Sequence, residues 1–241
     1  LSPMVAAALL AVVSFHVLFV GTALSFLVSA CFVVTCLLPA PQLKTQDLAS
    51  KRIINRITKG IRLYLQTPRL RGLLAINVSI AAASAVVIVN TVVYVQATFG
   101  LGTQETALAF AAFGAGSMVA ALALPRLLEK MPDRTVMVSA ALVLTVGTAL
   151  TGAMESFESL LMLWFVLGLG FAAAQTPAGR LLKRSASRAE GPDIFTAQFS
   201  LSHACWLITY PIAGWVGAWM GLSYVAYLLS ALCALGCVAA L

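Results

Sequence analysis

Charged residues are scarce in this chain, and none of them lies in the middle of a long apolar segment. Lys and Arg together number 15 and Asp and Glu number 8 among 241 residues, so 10% of the chain is charged. A soluble domain carries about 25% charged residues. Hydrophobic residues make up 61% of the chain. A water-solvated fold is therefore excluded, and lipid hydrocarbon is the expected solvent for most of the chain.

Metal-ligating residues are also few. The chain has two histidines, far apart in sequence, and its cysteines lie in apolar segments without CxxC spacing. We interpret the cysteines as small buried hydrophobic residues. Neither a metal site nor any other cofactor is expected from this part of the protein. A histidine-rich continuation after Leu241 would reopen the question of a metal.

The basic residues are confined to three short segments, and the loops between them carry only glutamates. The basic segments are residues 44–71, 126–134 and 180–188. Alternation of basic and non-basic loops is typical of a multi-pass membrane protein whose basic loops are cytoplasmic. We predict a protein of the plasma (bacterial inner) membrane, with anionic lipid headgroups rather than nucleic acid as the counter-charge. The loops predicted to be cytoplasmic are 40–71, 126–135 and 180–195.

Eight membrane-spanning helices are predicted. A helix needs about 20 apolar residues to cross the hydrocarbon core. Six segments meet this length: 18–39, 72–96, 105–125, 135–154, 159–179 and 196–218. A seventh is 222–241, and the uncharged run from Ser2 to Pro39 is long enough for an additional short helix ending near His16. The predicted fold class is an all-α polytopic membrane protein.

A long basic connection divides the chain. Between Ser50 and Gln66, isoleucine and leucine recur at helical spacing opposite a basic stripe. This pattern predicts an amphipathic helix in the headgroup layer; a calmodulin-type target helix is the alternative. Thr67-Pro68 then predicts the N-cap and first residue of the next span.

Four short stretches resemble the major facilitator superfamily, in particular its drug and heavy-metal exporter branch. They are Ser2-Pro3, ALSFLVSA at 23–30, LPRLLEKMPDRTV at 124–136 with its Asp133-Arg134 pair, and AQFSLSHACW at 197–206. The resemblance implies a bundle of two six-helix halves, of which this chain supplies helices 5 to 12. Residues 1–39 would end the first half, 40–71 would form the linker, and 72–241 would form the second half, with its last helix truncated.

Polar residues within the spans are the candidate substrate-binding groups, because an unpaired polar group in lipid is costly. His203 shares a helical face with Phe199, Trp206 and Tyr210, and Gln198 is adjacent. Its imidazole could titrate, coordinate a cation or donate to a substrate. The alternative is a neutral histidine that is hydrogen-bonded to a neighbouring helix.

The span at 72–96 and the end of the span at 159–179 supply further candidates. Asn77 lies on one stripe of the first of these spans, and Asn90 and Tyr94 lie on another, near the predicted outer vestibule. Gln175 precedes Thr176-Pro177, where a proline could produce a kink or a gate. Each of these polar residues could instead form interhelical hydrogen bonds.

Two further patterns concern the loops and the helix crossings. A mixed charge cluster is predicted either to lock one transport state through ion pairs or simply to be solvated: Arg126, Glu129, Lys130, Asp133 and Arg134. Three glycine pairs are interpreted as close helix packing: Gly114 and Gly116, Gly168 and Gly170, and Gly214 and Gly217.

The leading functional hypothesis is a proton-coupled secondary transporter that exports a small organic or toxic compound by alternating access. A divalent metal exporter and a non-transporting scaffold or sensor are the alternatives. An intramembrane enzyme is disfavoured, since no carboxylate lies in a span to orient His203. The expected partners are the lipid bilayer, a small-molecule or ion substrate and protons, without nucleic acid, and the protein is expected to be monomeric.

Overall fold

A computed structural model describes residues 13–36, 50–187 and 190–241, and throughout these ranges the regular structure is helical. The α-helices are α1 (Phe15–Thr35), α2 (Ser50–Gln66), α3 (Pro68–Val92), α4 (Thr103–Lys130), α5 (Asp133–Leu150), α6 (Phe157–Gln175), α7 (Ala178–Ser185), α8 (Gly191–Pro211), α9 (Gly217–Met220) and α10 (Leu222–Ala240). Short π-helical turns extend α3 through Val93–Thr98 and join α8 to α9 through Ile212–Val216. Most of the short helix predicted before His16 lies outside the described residues.

Six of the described helices are long and apolar enough to cross a membrane, which confirms the predicted fold class. They begin at His16, Pro68, Thr103, Asp133, Phe157 and Leu222. The continuous helix from Gly191 to Met220 is long enough to cross a membrane, but it is less apolar than these six helices. Residues 196–218 of this helix were predicted to span. Its polar and aromatic content therefore sets it apart from its neighbours.

The helix α3 forms the centre of the bundle. It begins at Pro68 as predicted, with Thr67 as the N-cap residue, although the Thr67 side chain bonds back to Leu63 O instead of capping. Small residues such as Ala82 and Ala85 are fully buried along its length. They allow α5, α8 and α10 to pack closely around it.

The crossing of α4 and α6 depends on two glycines. A Cβ atom at Gly116 would overlap the Phe165 carbonyl, and one at Gly168 would overlap the Phe113 carbonyl. Ser117 Oγ donates a hydrogen bond of 3.1 Å to the Gly168 carbonyl at the same crossing. The close-packing interpretation of these glycines therefore holds, because backbone meets backbone with no room for a side chain.

Candidate functional site

The rings that were predicted to share a helical face with His203 form one continuous row along α8. The ring centroids of Phe199 and His203 are 4.0 Å apart, and those of His203 and Trp206 are 5.2 Å apart. Trp206 and Tyr210 stack nearly parallel at 6.4 Å. We call these four residues the aromatic ladder. The structure thus places three of the predicted site residues, His203, Trp206 and Tyr210, in one row with Phe199.

The aromatic ladder is exposed at its Phe199 end, whereas Tyr210 at its other end packs against the buried core. Phe199 and His203 are exposed, while Trp206 and Tyr210 are partly exposed. With a rise of 1.5 Å per residue, His203 lies about 18 Å from Gly191 and about 25 Å from Met220. Its Nδ1 lies 2.7 Å from the Phe199 carbonyl, and Nε2 is the second polar atom of the ring. A polar ring is therefore presented near the middle of this helix.

The remaining candidate on α8, Gln198, is tied to the amphipathic helix α2. The Tyr64 hydroxyl donates a hydrogen bond to Gln198 Oε1. Tyr64 is fully buried, and a Cβ at Gly60 would meet the Asp193 carbonyl at 2.7 Å, so α2 lies directly against the start of α8. Burial raises the pKa of Tyr64 well above its ordinary value, so the hydroxyl stays protonated and available as a donor. Sequence reasoning identified α2 as a helix but missed this contact, since no local pattern indicates which helix it packs on.

The candidates on α3 lie inside the bundle and apart from the aromatic ladder's exposed face. Asn77 donates from Nδ2 to Leu73 O at 2.9 Å, which is a bond within its own helix. Asn90 and Tyr94 are 2% and 3% exposed, so these side chains do not line the vestibule that was expected for them. Tyr94 instead donates to Thr151 O at 2.7 Å and thereby links two helices. For Tyr94 the structure agrees with the alternative interpretation of interhelical hydrogen bonding.

A buried residue that the sequence did not single out completes this interior polar group. Trp164 on α6 is fully buried, and its indole Nε1 donates to Thr91 Oγ1 at 2.7 Å. Its ring meets Tyr94 edge-on, with centroids 6.0 Å apart. The Nδ2 atom of Asn90 is buried without a hydrogen-bond partner among the described residues. We call Asn90, Thr91, Tyr94 and Trp164 the interior polar cluster.

Gln175 is exposed at the last residue of α6, just before the turn that leads through Pro177 into α7. Its helix ends there, as the predicted interruption at Thr176-Pro177 requires. The structure therefore places Gln175 at the end of the bundle that carries the basic segments, whereas the aromatic ladder lies near mid-helix.

The charge cluster is organised differently from its sequence pattern. Asp133 is 9% exposed at the start of α5 and pairs with Arg180 and with Arg184, the latter at 3.2 Å. Both arginines belong to α7, outside the predicted cluster. The sequence could have indicated that these two arginines act together, because they are four residues apart on a short amphipathic helix and both guanidiniums therefore lie on one face. Arg126, Glu129 and Lys130 are exposed, and Arg134 reaches the Ala240 carbonyl at 3.5 Å.

Within the described ranges, no group of three or more His, Cys, Asp and Glu side chains converges to hold a metal ion. Cys233 is buried in α10 and contacts the Ser79 carbonyl at 3.3 Å, which is a packing contact between α10 and α3. The aromatic ladder thus supplies aromatic rings and the exposed imidazole of His203 as its site chemistry.

The long apolar helices define the class as a polytopic all-α membrane protein, with a polar aromatic helix face and a part-buried ion pair at the basic end. The family profile described as Major Facilitator Superfamily matches residues 72–241, which is more than half of the chain. The chain therefore belongs to the major facilitator superfamily of membrane transporters. Neither a curated protein nor a solved structure matches it.

Proposed function

We propose that this chain forms part of a proton-coupled exporter of small organic or toxic compounds and that the aromatic ladder binds the substrate. Transporters of this kind hold substrate near the bilayer midplane, between two helical halves that rock against each other. Residues 1–39 would close the first half, 40–71 would link the halves, and 72–241 would form the second half. The observation that carries this proposal is the exposed aromatic ladder centred on His203.

The chemistry of α8 argues that the aromatic ladder faces a water-filled pathway or the other half rather than lipid. An imidazole exposed to hydrocarbon would be costly, and polar residues inside spans almost always face a bundle interior or a cavity. The helix carrying the aromatic ladder is also the one that falls short of the apolarity of the six candidate spans. A face that is turned to water or protein does not need to be lipophilic.

The ring types favour an organic substrate, in particular a planar or cationic one. Flat rings of Phe199, Trp206 and Tyr210 can stack on a planar compound, and indole faces attract cations. The His203 imidazole can donate or accept a hydrogen bond with such a compound. A carboxylate carrier of protons in the middle of the membrane would have to come from another part of the protein, because no Asp or Glu of this chain lies in mid-span.

The ion pairs of Asp133 suit a gate at the basic end, which we take as cytoplasmic. Arg180 and Arg184 hold α7 against the start of α5. Rocking of one half would be expected to break or re-form contacts made by such a cluster. This assignment gives the predicted charge cluster a role in alternating access, with Arg180 and Arg184 added to it.

The test uses inside-out vesicles that contain the complete protein. A proton gradient is imposed, and uptake of a cationic dye and of Ni²⁺ or Co²⁺ is followed in parallel. His203→Ala is expected to reduce dye uptake at least tenfold while membrane insertion stays intact. His16→Ala is the matched control, because it removes the only other histidine of the chain, and it is expected to transport normally.

Each outcome separates the competing functions. Gradient-dependent dye uptake that is lost in His203→Ala supports the proposal. Metal uptake lost in the same variant would replace it with a divalent metal exporter. Movement of neither the dye, the metal nor any compound of a metabolite panel would favour a scaffold or sensor.

A further inference from the structure

An apolar groove of about 610 Å³ lies between the outer halves of α5 and α6, which are the halves remote from the basic segments. Gly147 and Leu163 line it and are buried, so they form its floor. The larger side chains of its two walls are each 40–73% exposed: Leu142, Val143, Val146, Leu150, Met162 and Val166. The groove therefore presents an accessible surface of hydrocarbon.

The length of this groove matches one alkyl chain within one membrane leaflet. Leu142 and Leu150 are eight residues apart on α5, which is about 12 Å along the helix. One leaflet contributes about 15 Å to the hydrocarbon core. Both helices are candidate membrane spans. A single alkyl chain that lies parallel to the helices would therefore fill the groove and place its polar end at the outer surface.

The outer end of the groove carries two carboxylates. Glu155 directly follows Met154, which lines the groove. Glu158 directly precedes Ser159, which also lines it. Glu158 lies four residues before Met162 on α6, and this spacing puts the two side chains on one face of the helix. Both glutamates are exposed, so they form an accessible acidic rim.

The basic residues nearest in sequence are far from this acidic rim. They are Arg134, at the opposite end of α5, and Arg180, beyond the opposite end of α6. The 19 residues of α6 extend over about 28 Å, whereas charges in physiological salt are screened beyond about 8 Å. Among the described residues, the ion pairs of the chain involve neither Glu155 nor Glu158. The negative charge of the rim is thus left for a ligand to balance.

Charge decides what occupies the groove, because shape alone gives little preference inside a membrane. Lipid tails are as apolar as the groove, so an alkyl chain gains little by moving into it from the bilayer. A phospholipid would bring its phosphate next to Glu155 and Glu158, which is repulsive. A cationic head on the same alkyl chain would instead be attracted by both carboxylates.

We propose that this groove binds a single-chain cationic amphiphile of the alkylammonium class. The alkyl chain lies against Val146 and Met162, and the cationic head lies between Glu155 and Glu158. The site is independent of the proposed transport function, because it uses no residue of the aromatic ladder and because binding there requires no flux.

The experiment is photolabelling of the complete protein in phosphatidylcholine nanodiscs. The probe is dodecyltrimethylammonium with a diazirine in its chain, and the comparison probe is dodecanol with the same diazirine. Mass spectrometry measures the labelling of residues 142–166 relative to the rest of the chain. One elementary charge near a membrane surface changes affinity about fivefold, so the cationic probe should label the groove at least about fivefold more. Unlabelled dodecyltrimethylammonium should compete with it.

Two variants test the acidic rim. Glu158→Gln should lower labelling of the groove by the cationic probe about fivefold and leave labelling by the neutral probe unchanged. Glu105→Gln is the matched control, because it removes the same charge at the start of α4 and keeps the side-chain oxygen that accepts from the Gly102 N–H. This control should be labelled like the wild type.

Two further variants test the groove without removing charge. Val146→Trp keeps both glutamates and fills the groove, so it should lower labelling of residues 142–166 by both probes. Leu122→Trp places the same large ring on α4, outside the groove, at a position that is 74% exposed. Labelling of the groove should be unchanged in this control.

Three results would overturn the proposal. Equal labelling of the groove by the two probes would identify it as ordinary lipid-facing surface. Equal loss in Glu158→Gln and Glu105→Gln would assign the attraction to the general charge of the outer surface. Unchanged labelling in Val146→Trp would place the probe outside the groove.

Discussion

Two helices of this bundle carry polar and aromatic residues, and they use them in opposite ways. In α3 with its π-turn, 67% of the residues in the most apolar stretch of the helix are buried. Its Asn77 side chain bonds to a carbonyl of the same helix, and its Tyr94 side chain bonds to a neighbouring helix. In α8, Phe199 is 64% exposed and His203 is also exposed, whereas Tyr210 packs against the buried core. Sequence alone placed both groups among the candidates for a substrate site.

The difference shows that polarity within a span has two separate uses. Tyr94 and Trp164 satisfy their donors inside the bundle, where an unpaired donor would be costly. Among the described residues, His203 bonds within α8, to the Phe199 carbonyl and weakly to Ser202, and its side chain is exposed. Changes in the interior polar cluster should therefore act mainly on stability, and changes in the aromatic ladder should act mainly on transport.

The largest effect on stability is expected at the glycine crossing that holds the interior together. Gly168→Leu should prevent accumulation of folded protein, because its side chain would displace the Phe113 backbone and cost more than about 3 kcal/mol. The measurement is the monodisperse fraction in detergent by fluorescence-detected size exclusion. Gly179→Leu, at a helical position with open space around it, is the control. Equal yields from both variants would contradict the close α4–α6 crossing.

A smaller loss is expected in the interior polar cluster. Trp164→Phe removes the donor to Thr91 and leaves a small cavity, which together should cost about 2 kcal/mol. Thermal unfolding in detergent would measure it. Trp219→Phe, at a position that is 91% exposed, should change stability by less than about 0.5 kcal/mol. A larger loss in the control than in Trp164→Phe would reverse the assignment of interior and surface.

The ion pairs at the basic end should contribute less than the interior. Asp133→Asn leaves Arg180 and Arg184 without their carboxylate, but these arginines are 39% and 65% exposed and can be solvated. We expect a loss of about 1–2 kcal/mol, measured by the same unfolding assay, together with altered flux in vesicles. An unchanged melting temperature and unchanged flux would leave the pair as a surface contact.

The smallest effect on stability is expected in the aromatic ladder. Trp206→Ala should change unfolding by less than about 1 kcal/mol, because the indole is partly exposed and stacks only within its own helix. Transport should nevertheless show a KM at least fivefold higher, with membrane insertion unchanged. Severe destabilisation with an unchanged KM would identify Trp206 as a packing residue and break the comparison.

Much of the fold followed from patterns within single helices. Apolar length predicted all six candidate spans, five of which lie between Pro68 and Ala240, and the stripes of α2 predicted a helix at Ser50–Gln66. The spacings of Phe199, Trp206 and Tyr210 from His203 placed the aromatic ladder on one face. Such patterns can be read from sequence because a helix repeats every 3.6 residues, whatever surrounds it.

What the tertiary structure decided is which face meets which neighbour. It buried Asn90 and Tyr94, joined Asp133 to Arg180 and Arg184, and brought Arg69, Arg71 and Arg134 to one cavity. Arg69 and Arg134, which line the same cavity, lie 65 positions apart in the chain. Helical periodicity states which side chains share a face, but only the packing of distant helices determines whether that face is covered.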